Sequence, residues 1–373
     1  MKKIMILSML ALLSVGMSPP TTGLVVHEWG TFTSVAGRDG VAVDWRPLLA
    51  PDDLPSFVYG PNGSSGHLRR DTNLKLRLSG LVRMETPVIY FYADGPTEVS
   101  AKVEFPKGFL TEWYPAAREI PWGLDWGRFM VDPSAAAQLP REPRPSHYYP
   151  ARETDAAPLR VGKETEKLLF YRGVGTFALP VQVTLNGSTV TVKNPGRESI
   201  SRVFVVESRG GKVGFRTLKD LKGEAVMDRP PLVGGPEALR KDLEQSLVEE
   251  GLFVKEAAAM VKTWQDSWFE DGLRVFYLVP QGVVDAVLPL KIDPKPAELV
   301  RVFVGRVELI TAELETAALA ALDAAGDPPR PEDAKQALSK LGRFGEPALR
   351  KLMAGSSDPT FKSRVLAVLS AAR

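Results

Sequence analysis

Between residues 74 and 105 the apolar side chains either alternate strictly or run unbroken, and this constrains the fold more than any other feature of the chain. Leu74, Leu76 and Leu78 alternate with Lys75, Arg77 and Ser79, the mark of a strand with one wet face. Val88-Ile89-Tyr90-Phe91-Tyr92 is continuously apolar, as expected of a strand buried on both faces. Val99, Ala101, Val103 and Phe105 alternate again, with Ser100, Lys102 and Glu104 between them. Three strands this close together predict antiparallel sheets in a sandwich or barrel. The expected class is mainly β, α+β overall: antiparallel sandwich-like sheets with an inserted helix pair and a small C-terminal helical tail.

Further along, Asn186-Gly187 between valine-rich runs predicts a hairpin with a type I′ turn. That register pairs Leu185 with Ser188, Val183 with Val190 and Val181 with Val192, and puts all the valines on one face. A second hairpin is expected to return through Gly210-Gly211 to Val213 and Phe215. Over residues 236–269, Leu239, Leu243 and Leu247 form a helical stripe ending at Gly251. A second helix there places Val254, Ala258, Val261, Gln265 and Trp268 on its inner face. After Thr311 the composition turns to Ala and Leu, with helices expected near 312–325, 331–341, 346–354 and 359–371 and with Asp358 as the N-cap of the last. The units so delimited are a signal peptide at 1–18, a β-rich unit at 24–130 and a Pro-rich excursion at 131–158. A second β-rich unit with the helix pair follows at 159–310, then the tail at 311–373. The sheets form one large or two adjoining sandwich-like bodies.

Met1-Lys2-Lys3, the apolar run Ile4 to Val15 and the small residues behind it have the pattern of a secretory signal peptide. The run is 12 residues, well short of the roughly 20 that span a bilayer. Cleavage after Gly16 fits a small-x-small rule. The expected location is therefore exported, periplasmic or extracellular. With no cysteine, such a chain has no disulfide and must be held by its core. Lys and Arg number 47 against 45 Asp and Glu, and loss of Lys2 and Lys3 leaves them equal. A neutral surface without basic runs argues against a nucleic-acid partner. No second long apolar run exists, so the mature chain is not expected to span a membrane.

Two sets of residues are candidates for function. The first is Trp113, Tyr114, Trp122 and Trp126, spaced among Gly and Pro at neither helical nor strand intervals. Aromatics on irregular backbone can form a platform for sugar rings or flat apolar ligands, and they can equally cap a sheet core. The second is the set of three histidines, His27, His67 and His147, all within the first 150 residues. With Glu28, Glu85, Glu112 or Asp155 they could hold one Zn, Cu or Fe ion, with Glu28 or Glu112 as general base. In an unbroken strand, however, His27 and Glu28 point to opposite faces. The plain alternative is a core strand whose His27 is hydrogen-bonded to a protein partner.

Several signatures fail. His27-Glu28 opens a zinc-protease motif, but Thr31 stands where the second histidine belongs. Gly173-Val174-Gly175-Thr176-Phe177-Ala178 is followed by a hairpin, not the helix of a dinucleotide site.

Val25-Val26-His27-Glu28-Trp29-Gly30-Thr31-Phe32-Thr33-Ser34 occurs together with Arg83-Met84-Glu85-Thr86-Pro87, Thr111-Glu112-Trp113-Tyr114-Pro115 and Ser267-Trp268-Phe269-Glu270. In these segments the chain resembles a group of uncharacterised exported bacterial proteins, over most of its length. The resemblance implies export and no particular activity. Residues 342–366 resemble a HEAT-type helical repeat, about one unit and part of another, which reads as a docking or packing appendage because a solenoid needs roughly three units. Two classes of function remain. One is an exported binding or structural protein recognising a glycan or protein partner; the other is a metal-dependent extracytoplasmic hydrolase or oxidoreductase.

Overall fold

The computed structural model describes residues 23–46, 54–65 and 78–372. The expected signal segment, the strand expected from Leu74 up to residue 77 and the loop expected around His67 lie outside them. In chain order the strands begin with β1 Val25–Gly37, β2 Tyr59–Gly60, β3 Ser64–Ser65, β4 Val82–Tyr92, β5 Thr97–Glu104, β6 Gly108–Tyr114, β7 Arg118–Ile120 and β8 Gly123–Val131. They continue with β9 Leu159–Val161, β10 Glu164–Glu166, β11 Leu169–Gly175, β12 Gln182–Asn186, β13 Thr189–Asn194, β14 Ile200–Arg209, β15 Lys212–Leu221 and β16 Gly223–Asp228. The helix pair α1 Glu237–Glu249 and α2 Val254–Trp268 follows, then β17 Gly272–Val279, α3 Gln281–Val287, β18 Leu290–Asp293 and β19 Glu298–Ile310. The tail comprises α4 Ala312–Ala324, α5 Pro331–Ser339, α6 Gly345–Gly355 and α7 Pro359–Ala371. The mainly β, α+β class is what the structure has.

Ten strands form the central sheet in the order β15-β14-β17-β19-β1-β4-β11-β6-β2-β3. The first and last long strands, β1 and β19, are its parallel pair, and β1 runs antiparallel to β4. Strands from 24–130 and from 159–310 thus alternate in one sheet, which joins the two stretches through a shared ladder of hydrogen bonds. Residues 131–158 lie over that sheet. Tyr148 and Ala151 enter its core, and Arg152 and Tyr148 both donate to Glu166.

One face of the central sheet is covered by a six-stranded sheet, β10-β9-β8-β5-β18 with β7 paired to β8, and a three-stranded one, β12-β13-β16. Val26, Phe32, Ile89 and Phe91 of the central sheet meet Val99, Val103, Phe129, Val183 and Val192 of these layers. The other face carries the helix pair: Val25, Trp29, Val88 and Tyr90 meet Leu239, Leu243, Leu247, Met260, Trp264 and Trp268. The tail closes one end through Val35, Trp45, Ile310, Phe344, Ala348 and Val365. Thr311 accepts from the Leu314 backbone N–H and Asp358 from that of Thr360, so side chains cap α4 and α7.

Two details differ from expectation. The first hairpin pairs Asn186 with Thr189, Leu185 with Val190 and Val183 with Val192, leaving Gly187-Ser188 as the loop. Gly187 alone has a positive φ (59°), so the turn is type II′ and Asn186 stays in its strand. The displacement is an even number of residues, which is why the valines keep their common face. In α2 the buried stripe is Ala257, Met260, Val261, Trp264 and Trp268, while Val254 and Ala258 face solvent. The helix is rotated because Glu256, fully buried, is turned toward the sheet.

Gly305 of β19 lies opposite Tyr277 of β17, whose ring covers it; a Cβ there would come 2.0 Å from Cζ of the ring. Gly305→Ala is expected to destabilise by about 2 kcal/mol, as overpacking does in a dense core. Urea unfolding should show a lower midpoint at unchanged slope.

Candidate functional site

β1 is buried along its whole length, so each polar side chain on it needs an internal partner. His27 faces the helix pair, and its Nδ1 lies 2.7 Å from Glu256 Oε2. Glu256 also accepts from the Tyr92 hydroxyl (2.7 Å) and the Phe253 backbone N–H (2.8 Å). Burial, then the Glu256 charge, pushes the Tyr92 phenol far above its usual range, so it stays a donor. The imidazole lies against Phe253 with ring centres 4.4 Å apart. Glu28 points to the opposite face. It accepts from Arg301 Nε at 2.6 Å and from the Tyr171 hydroxyl at 2.5 Å, and Arg301 continues to Asp285 at 2.7 Å.

His147 sits half-exposed toward the C-terminal end of α2, its Nε2 3.1 Å from Asp266 and its ring stacked on Trp264. His27 meets α2 at residue 256 and His147 meets it at 264–266. At about 1.5 Å per residue, that separates the two contact points by roughly 12–15 Å along the helix. The metal set His27, His67 and His147 is therefore not assembled: two members sit too far apart for one ion, and the third lies outside the described residues. Among the described residues no three His, Cys, Asp or Glu gather as metal ligands. The general-base assignments to Glu28 and Glu112 also give way. Both carboxylates are fully buried in ion pairs, Glu112 with Arg172 at 2.5 and 3.0 Å, and so have no route to a substrate proton. Asp155 forms a surface pair with Lys255.

A larger polar group occupies the sheet end beneath the tail. Glu85 accepts from Thr33 Oγ1 (2.7 Å) and from Arg343 Nη1 (2.8 Å), with Arg83 Nε at 3.4 Å. Glu270 accepts from Arg306 (2.7 Å) and Arg343 (3.0 Å). Glu308 pairs with Arg306 and with Arg274 Nε (2.8 Å), and Arg274 Nη1 donates to the Trp268 carbonyl at 2.6 Å. Three of the dispersed segments noted in the sequence, those carrying Thr33, Glu85 and Glu270, converge here. Sequence reasoning passed over the guanidiniums. The available signal was a charge inside an apolar strand, as in Leu273-Arg274-Val275 and Gly305-Arg306-Val307.

The aromatic set separates. Trp113, Tyr114 and Trp126 are buried, and Trp126 Nε1 donates to the Pro115 carbonyl. They cap the core and do not form a platform. Trp122 alone of the four faces solvent, 68 % exposed. It stands in the two-residue loop joining β7 to β8, where Ile120 pairs with Gly123. Pro121 leads, and Trp122 has φ 64°, which makes a type II turn with tryptophan in the position that glycine ordinarily fills. Left-handed backbone costs an L-residue on the order of 1–2 kcal/mol. The Trp122 carbonyl accepts from the Phe105 backbone N–H and ties the turn to the end of β5. Beside the indole opens a cleft of about 330 Å³ with Phe109, Leu110, Trp113, Glu119 and Ile120 on its walls. Phe109 is 37 % exposed.

No protein-family model matches the chain, and no curated protein is significantly similar to it. Among the described residues no helix is long and apolar enough to cross a membrane.

Burial by itself would raise the Glu85 carboxyl. The charges of Arg343, Arg83 and Arg306 and the Thr33 hydroxyl outweigh it and hold the group down to about 2, from 4.5. A depressed folded-state value stabilises above the unfolded value, and that contribution is lost as pH falls from about 4.5 toward 2, some 3 kcal/mol in all. Arg343→Ala is expected to cost about 3 kcal/mol at pH 7, because it takes the shared guanidinium from the buried Glu85 and from Glu270. It should also flatten the acid limb of stability against pH, read by urea unfolding from pH 7 to 2.5.

Proposed function

We propose that this is an exported binding protein that takes a ring with an apolar face, such as a pyranose of a surface glycan, on Trp122. The observation that supports it most is the exposed indole held on left-handed backbone. An ordinary turn would use glycine at that position, and backbone strain retained at a surface loop marks a place where a side chain is needed. The rest of the cleft suits the same ligand. Phe109 and Trp113 offer apolar walls, and the Glu119 carboxylate at the rim accepts from hydroxyl groups. Its volume is at the small end of ligand sites, right for one ring and not for a folded partner's surface. Trp faces take sugar rings through the same quadrupole and apolar area that drive aromatic packing.

Trp122→Gly separates fold from function. Relief of the left-handed strain should leave the melting temperature unchanged or raise it, because the removed side chain is mostly in water. Binding to insoluble polysaccharides, measured by pull-down and by quenching of tryptophan fluorescence, should fall at least tenfold. Equal binding by the two proteins would end this reading.

A further inference from the structure

The cleft beside Trp122 carries a charge as well as aromatic walls. Of the described residues that line it, Glu119 is the one ionisable side chain, set among Phe109, Trp113 and Trp122. Register fixes where its carboxylate points. Glu119 stands opposite Leu124, which is buried in the core between the sheets, so it faces inward, toward the β6 residues that form the opposite wall. Arg118 and Asp125 pair with each other on the outer face. Glu119 Oε1 accepts from the Asn62 backbone N–H at 2.8 Å, which holds the group in place. It has no other hydrogen bond and no ion pair among the described residues. The neighbouring cations do not neutralise it. Arg118 is taken by Asp125 and Lys102 by Glu104, while Lys107 precedes Gly108 in the chain but does not line the cleft.

A ring docked on Trp122 covers this carboxylate. Covering an anion without a compensating charge costs free energy, so a ring bearing only hydroxyls gives back part of what its apolar face contributes. An ammonium on the ring removes that penalty. It donates to the open Oε2 in a charge-assisted hydrogen bond, and the aromatic side chains around it attract a cation through their quadrupoles. We propose that the ring this cleft takes is an amino sugar, a pyranose bearing a free, protonated amine that donates to Glu119. The inference rests on the sugar-binding reading of Trp122 and adds the charge of the ligand to it. A uronic acid would set like charges together. An N-acetylated amine keeps an N–H but loses the charge, and a quaternary ammonium has no N–H for the open oxygen.

The experiment is calorimetric titration of the full mature protein with a glucosamine tetramer, its fully N-acetylated counterpart and cellotetraose, at about pH 6, where the free amines are charged. The glucosamine tetramer is expected to bind at least tenfold tighter than either neutral oligomer, the size of one charge-assisted hydrogen bond. Glu119→Gln keeps a carbonyl oxygen for the Asn62 N–H, so it should leave the melting temperature and the neutral oligomers unaffected while removing the advantage of the amine. In the unaltered protein that advantage should also shrink several-fold between about 0.05 and 0.5 M salt, a reading that needs no variant. Equal binding of the three oligomers, an advantage indifferent to salt, or one that survives Glu119→Gln would overturn the proposal. If Trp122→Gly still weakens all three at least tenfold, the sugar-binding reading outlives that failure. Binding that Trp122→Gly does not alter removes both.

Discussion

The central strand β1 has no wet face, and most of the architecture follows from the partners its polar groups require. His27 needs Glu256, which fixes the rotation of α2 on the sheet. Glu28 needs Arg301, which comes from the neighbouring parallel strand β19 and lies against Tyr171 of β11. Thr33 donates to Glu85, and Glu85 in turn takes Arg343 from the tail. These contacts join β1 to the helix pair, to its neighbours in the sheet and, through Glu85, to the tail, so one buried strand bears on the register of the sheet, the seat of the helix pair and the docking of the last four helices. Breaking such a pair costs far more than its net worth, because the surviving charge stays in a medium that cannot hydrate it.

The tail is bound by the same rule. Apolar contacts around Trp45 and Phe344 supply area, but they are not directional. Arg343, reaching Glu85 and Glu270 at once, allows one placement. A guanidinium suits the role because its planar fork serves two carboxylates and stacks on Phe344, 5.1 Å away.

At the turn between β7 and β8 a tryptophan occupies backbone that favours glycine, and this local choice works against stability by strain. Local rules are kept at the side-chain caps of α4 and α7 and at the glycine turn of Gly187, whereas Thr86 within β4 and Asp220 within β15 share the left-handed φ of Trp122.

The β class, the helix pair, the tail helices and the Gly210-Gly211 hairpin were legible in the sequence, because period and turn chemistry are local. So was the opposition of His27 and Glu28, which needs only the geometry of a strand. The divergence of the histidines, the burial of three of four aromatics and the meeting of Thr33, Glu85, Glu270 and Arg343 were not legible. These depend on which strand neighbours which, and the pairing of β1 with β19 joins residues about 270 positions apart. Pattern tells which face of an element is buried, but not what lies across it. For Glu256, Arg274 and Arg306, charged residues that local pattern assigns to solvent, only the tertiary structure supplies the buried partners that make an interior position tolerable.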